Sequence, residues 1–110
     1  MAIENWKVLS WNVWGIISDK KWNTIRDRVT VSSCDVLCLQ ETKHAHFDVM
    51  YIRQFCPSVY DSFVFLPLVG ASGGSIIIWK SSTFSGSLLF QNNFATSILL
   101  SLVHNNSNGY

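Results

Sequence analysis

The sequence carries little charge and no excess of either sign: 8 Lys and Arg face 7 Asp and Glu, and charged residues make up 14% of the chain. A net charge of +1 gives no bulk basic footprint, so affinity for nucleic acid would have to come from a local patch or a metal. Cysteine is scarce and odd in number. Cys34, Cys38 and Cys56 have no CxxC spacing and read as reduced, structural thiols rather than a disulfide framework or a zinc knuckle. No run of about 18 apolar residues exists that could cross a membrane as a helix. The N-terminus also lacks a basic stretch leading into an apolar segment, so a secretory leader is not supported and an intracellular location is expected. Asn105-Asn106-Ser107 matches a glycosylation acceptor, but without a secretory signal it reads as a turn.

What the chain does have is apolar material: 48% hydrophobic residues over 110 positions, enough for a folded core and one domain or a piece of one. Trp6 to Val13 reads as a strand, followed by a loop at Gly15. Trp22, Ile25 and Val29 then recur at helical spacing, on an amphipathic helix capped by Ser18 or Asp19. Asp35 to Gln40 is nearly continuous apolar sequence, as in a strand covered on both faces. Strand, helix and buried strand in that order predict parallel pairing through a right-handed crossover. Phe47, Met50, Tyr51 and Phe55 share a helical face that must stop at Pro57. Further strands are predicted over Tyr60–Leu66, Ser75–Lys80, Thr83–Gln91 and Phe94–His104, with turns at 70–74 and at Asn92-Asn93. The turn signal at His104–Gly109 has only Tyr110 after it, so the expectation is a fold that continues beyond this sequence.

Two apolar strands end in polar residues that a buried strand would avoid: Asn12 on the first and Glu41 on the second. An amide and a carboxylate at neighbouring strand tips are a way to build a hard-cation site at a sheet rim. Mg²⁺ suits such a site because it takes one or two carboxylates, keeps several waters and works on phosphate oxygens. The alternatives are local: Glu41 as a loop residue paired with Lys43, and Asn12 as a group that satisfies backbone at a strand end. His44 and His46 lack a third ligand at zinc spacing and read as solvated loop. Gly73-Gly74 has neither a P-loop Lys nor a GxGxxG pattern and reads as a turn entering a strand. The tryptophans fall mostly at core positions. Trp14 is the exception, lying in the loop beside Asn12.

Lys7-Val8-Leu9-Ser10-Trp11-Asn12-Val13-Trp14-Gly15, Leu39-Gln40-Glu41-Thr42-Lys43 and Ala71-Ser72-Gly73-Gly74 with its following apolar strand and Trp79 resemble, in order, motifs of the endonuclease/exonuclease/phosphatase superfamily. Within it they are similar to the apurinic-endonuclease-like nuclease domain of plant LINE-type retrotransposons. The resemblance implies an α/β fold over 1–110, the N-terminal part of a truncated four-layered α/β/β/α sandwich. It also implies Mg²⁺ or Mn²⁺ as cofactor, DNA as partner and phosphodiester hydrolysis as the reaction, with a nuclear location possible. Glu41 would be the metal ligand, Asn12 would place the ion or the scissile phosphate, and Lys43 would support the carboxylate. No membrane or protein partner is implied. Trp14 departs from the pattern, standing where apurinic endonucleases often have Asp and the plant retroelement versions often have Arg. The family's later motifs, which supply an Asp and Asn for the nucleophilic water and a terminal Asp-His pair, have no counterpart in these residues, so the expectation is a chain nearly inactive by itself. Inositol-phosphate phosphatases and sphingomyelinases in the same superfamily, and a non-catalytic retroelement remnant that binds nucleic acid weakly through Lys20, Lys21, Arg26 and Arg28, are the competing readings.

Overall fold

The computed structural model describes residues 7–16, 18–67, 73–91 and 96–102, with side chains up to Gly86. Trp6, the turns expected at Gly70–Ser72 and Asn92-Asn93, and the 104–109 turn lie outside the described residues. The elements run β1 (Val8–Asn12), α1 (Asp19–Ser32), β2 (Val36–Gln40), α2 (Val49–Ile52), β3 (Ser62–Leu66), β4 (Ser75–Trp79), β5 (Phe84–Gln91) and β6 (Thr96–Leu102). β1 to β4 form one sheet in the order β1-β2-β4-β3, and β5 and β6 form a separate antiparallel pair.

β1 and β2 run parallel, with Asn12 opposite Gln40, as the strand-helix-strand order predicts. β4 then inserts antiparallel between β2 and β3, setting Ser75 opposite both Gln40 and Leu66. The register divides the sheet into two faces, because successive side chains alternate. One face carries Leu9, Trp11, Leu37, Leu39, Phe63, Phe65, Ile76 and Ile78, which pack with Ile25 and Val29 of α1 and with Phe47, Ile52 and Phe55 around α2. Burying one such aliphatic side chain is worth about 1.5–3 kcal/mol, and that gain holds the helix layer on the sheet.

α1 begins where the sequence places it: the Ser18 hydroxyl accepts the Lys21 N–H at 3.2 Å, and Ser33 in a left-handed conformation ends the helix with its N–H on the Val29 carbonyl. α2 is shorter than the apolar spacing suggests. Asp48 caps it, and its first and fourth flanking apolar positions, Phe47 and Ile52, are both buried, the arrangement of a hydrophobic staple. Phe47, Tyr51 and Phe55 do meet edge-on, but Met50 is 79% exposed because one turn of helix turns only part of the expected face inward. Tyr60 likewise precedes its strand instead of starting it. Its hydroxyl donates to the Cys34 carbonyl at 2.5 Å, and burial pushes its phenol well above the usual range.

The opposite face of the sheet carries Val36, Cys38, Val64, Ile77 and Trp79, and Phe84 at the start of β5 packs onto it. Gly86 is what lets β5 come so close. A Cβ there would lie 2.9 Å from Trp79 Cη2 and 3.0 Å from Cε2, and closer still to Cζ2. Helices on one face and the first strand of a second sheet on the other agree with a mixed α/β fold of layered sheets. The three cysteines are unpaired thiols. Burial pushes the Cys56 thiol up to about 12, away from the thiolate form that a nucleophile needs. No helix among the described residues is long and apolar enough to cross a membrane.

Two predictions follow from this packing. Gly86→Val forces methyl groups into the Trp79 ring and lowers stability by about 1–3 kcal/mol, read as a drop in the urea midpoint at unchanged slope. At the far end of the sheet, the Ser81 N–H and hydroxyl donate to the two oxygens of Asp61 at 2.9 and 2.7 Å, the backbone bond foremost in holding this carboxyl below its ordinary range. A carboxyl lowered on folding stabilises above the ordinary carboxylate range and loses that contribution as pH falls through its folded value. Thermal melts should therefore lose stability below about pH 4, and Asp61→Asn should flatten that acid limb while lowering the plateau at neutral pH.

Candidate active site

The parallel pairing of β1 and β2 brings the Asn12 and Glu41 backbones to one rim of the sheet. The hydrogen bonding continues past the strand ends: the Val13 N–H donates to the Gln40 carbonyl at 2.9 Å and the Gly15 N–H to the Glu41 carbonyl at 2.7 Å. On the other side, Thr42 and Lys43 donate to the Gly74 and Gly73 carbonyls at 3.2 and 2.7 Å. The segment 41–43 is thus clasped between the loop after β1 and the residues entering β4. Its backbone is unusual. Glu41 and Lys43 both have left-handed φ, 56° and 57°, and so does Trp14 at 52°, a region that costs a residue with a side chain about 1–2 kcal/mol. Gly15 and Gly74 take positive φ in the same clasp, where glycine carries no such penalty.

The Glu41 carboxylate stands at this rim with its side chain 36% exposed, and Lys43 Nζ lies 3.2 Å from its Oε1. A pair this open adds little stability, but it does place a cation beside the acid. Gly73 sets the other wall. A Cβ there would come within 2.6 Å of Oε2 and 2.5 Å of Cδ, and closer to Oε1, so any larger residue would push the Glu41 side chain out of this position. Asn12 is half-buried, and its Oδ1 accepts the Trp14 N–H at 3.2 Å. No hydrogen bond joins it directly to Glu41 among the described residues. One lone pair of Oδ1 and the whole Nδ2 group are uncommitted by that contact.

Of the neighbouring histidines, His44 is half-buried, whereas His46 is exposed in the loop as the sequence suggests. His44 stacks on Tyr51 with centroids 4.1 Å apart and planes at 9°, and His46 meets the edge of Phe65. Tyr51 and Trp22 both donate to the Ile16 carbonyl, which fixes the exit of the β1 loop. Trp79 is buried, Trp11 and Trp22 are half-buried, and Trp14 is 74% exposed. Of the basic residues on α1, Arg26 is spent on the Arg53 carbonyl at 2.5 Å, and Arg28 lies 4.8 Å over the Trp11 ring. Two rim features escape the sequence reading. Gly73 reads as part of a turn, and its approach to the Glu41 carboxylate becomes visible only once the antiparallel register of β4 is known. Thr42 is fully buried, with a hydroxyl that finds no hydrogen-bond partner among the described residues.

Residues 9–103 match the model of the Endonuclease/Exonuclease/phosphatase family. The chain belongs to this family. Among solved structures it is similar to the AP endonuclease LMAP from Leishmania major, at 29% identity and a TM-score of 0.53 over 76% of this chain, and to the catalytic domain of Xenopus laevis APE2, at 29% identity and 0.50 over 70%. The chain spans about a quarter of those structures, 27% and 24% of their lengths. A search of curated proteins finds no match.

The orphaned hydroxyl of Thr42 generates a prediction. A buried donor without a partner costs about 1–3 kcal/mol, so Thr42→Val, which keeps the shape and removes the hydroxyl, should raise the denaturation midpoint. Thr42→Ser, which keeps the hydroxyl and loses a methyl, should lower it.

Proposed function

We propose that these residues form the metal-holding part of a Mg²⁺- or Mn²⁺-dependent phosphodiesterase that acts on DNA, a nuclease of LINE-type retroelement origin acting in the nucleus. The observation that carries this reading is the Glu41 carboxylate, held beside the Asn12 strand end in a cradle that a Cβ at Gly73 would fill. The donor set fits a hard ion of low protein-ligand demand. Among the described residues no group of three or more His, Cys, Asp or Glu side chains converges, which disfavours zinc. One carboxylate and an amide oxygen are what Mg²⁺ accepts while it keeps most of its waters.

In this reading Glu41 is the ligand, and the second lone pair of Asn12 Oδ1, or its Nδ2, orients the ion or a phosphate oxygen. Lys43 balances the charge of the acid before a phosphate arrives and is free to turn to that phosphate afterwards. A bound Mg²⁺ supplies charge neutralisation at the phosphate and its leaving oxygen. The retroelement origin rests on the motif around Asn12 and the Gln40-Glu41-Thr42-Lys43 run. Handling of the attacking water falls to the family's later motifs, an Asp and Asn and a terminal Asp-His pair, which these 110 residues do not contain, so the chain alone binds the ion and cleaves little.

Mn²⁺ binding by calorimetry tests the ligand assignment. Glu41→Gln should weaken it at least about tenfold, and Gly73→Ala, which displaces the same carboxylate, by about tenfold or more. Binding that survives Glu41→Gln would place the ion elsewhere. Plasmid nicking in Mg²⁺ tests the second half: little cleavage is expected, and efficient nicking abolished by Glu41→Ala would overturn the assignment of inactivity.

A further inference from the structure

We infer that Trp14 is a base-contacting residue of this rim, a platform that stacks an unpaired nucleobase next to the phosphate at Glu41. The inference rests on the phosphodiesterase reading above and names what that site recognises. Three observations converge on this residue. Its indole is 74% exposed, whereas the other described tryptophans are buried or half-buried against the core. Its backbone is left-handed at φ 52°, a conformation that costs a bulky residue free energy and that tends to persist at sites of function. And its backbone is held in place: its own N–H donates to Asn12 Oδ1 at 3.2 Å, and the next residue, Gly15, donates to the Glu41 carbonyl at 2.7 Å. Both bonds tie the platform to the residues assigned to the ion.

The left-handed conformation matters because it bends the chain just past the strand tip. An extended residue following Val13, which is fully buried, would continue along the sheet edge, whereas the turn leaves the ring in solvent beside the rim. Lys43 lies by the next residue: a Cβ on Gly15 would touch the Lys43 stem at 3.8 Å. A nucleotide whose phosphate meets Glu41 and Lys43 would then lie beside the loop that carries the exposed indole. Stacking on an indole needs a base with an open face, which a continuous duplex does not offer. The ligand class is thus an unpaired or unstacked base in single-stranded, frayed or interrupted DNA. Stacking of this kind tolerates any base, so the contact selects strand state and not sequence.

The experiment compares binding of the full chain, Trp14→Ala and Trp14→Phe to an oligothymidylate and to an abasic oligomer of equal length, by fluorescence anisotropy in EDTA and in Mg²⁺. Trp14→Ala should weaken binding of the oligothymidylate by roughly tenfold to a hundredfold and leave the abasic oligomer unchanged, with Trp14→Phe retaining most of the difference. Equal loss on both oligomers would mark Trp14 as structural and overturn the inference, as would no loss on either. A base-dependent loss that persists while Mg²⁺ changes the affinity for neither oligomer would keep the platform while removing the metal reading, so the two failures are distinguishable. Preferential binding of inositol phosphate, competed out equally in all three proteins, would also count against a nucleobase platform.

Discussion

The site depends on the parallel pairing of β1 with β2. Only because the two strands run the same way do their polar exits, Asn12 and Glu41, leave the sheet at the same rim. The antiparallel insertion of β4 next to β2 then delivers Gly73 and Gly74 to that rim from the opposite direction. Loop carbonyls and amides from both neighbours complete the hydrogen bonding of residues 41–43, so a segment past the end of its strand is held almost as firmly as the strand itself.

That clasp accounts for the distribution of backbone cost. Of the four non-glycine residues with left-handed φ among the described residues, Ser33 ends a helix, and the other three, Trp14, Glu41 and Lys43, sit at the rim. Each departs from the favoured regions, and each is stabilised by a bond to or beside a glycine or by the Asn12 side chain. Such conformations persist when their surroundings over-determine them. The unpartnered hydroxyl of Thr42 adds a further cost at the same place. The core pays for this with a continuous apolar layer between the sheet and its helices, in which Ile25, Leu37, Leu39, Ile76 and Ile78 are fully enclosed.

Much of this was legible in the residues themselves. The polar ends of two apolar strands announced the rim, Ser18 announced the helix start, and the continuous apolar run after Asp35 announced a strand covered on both faces, with Val36, Leu37 and Leu39 all buried. What the sequence hid depends on contacts between distant segments. The order β1-β2-β4-β3 is invisible to local patterning, and with it the approach of Gly73 to Glu41 and of Gly86 to Trp79. Met50 misled because a helical apolar spacing does not report how long the helix is. His44 and His46 look polar in sequence, yet both lie against aromatic rings contributed by α2 and β3.

The account predicts one cation site, at the end of β2 and shared by the three segments that meet there. An amide-resolved NMR titration of the chain with Mg²⁺ tests this most directly. Shift changes should concentrate on Asn12, Gly15, Glu41, Thr42, Lys43, Gly73 and Gly74 and should saturate together. Changes centred instead on Asp48 or Asp61, or spread evenly over the acidic residues without saturation, would contradict it.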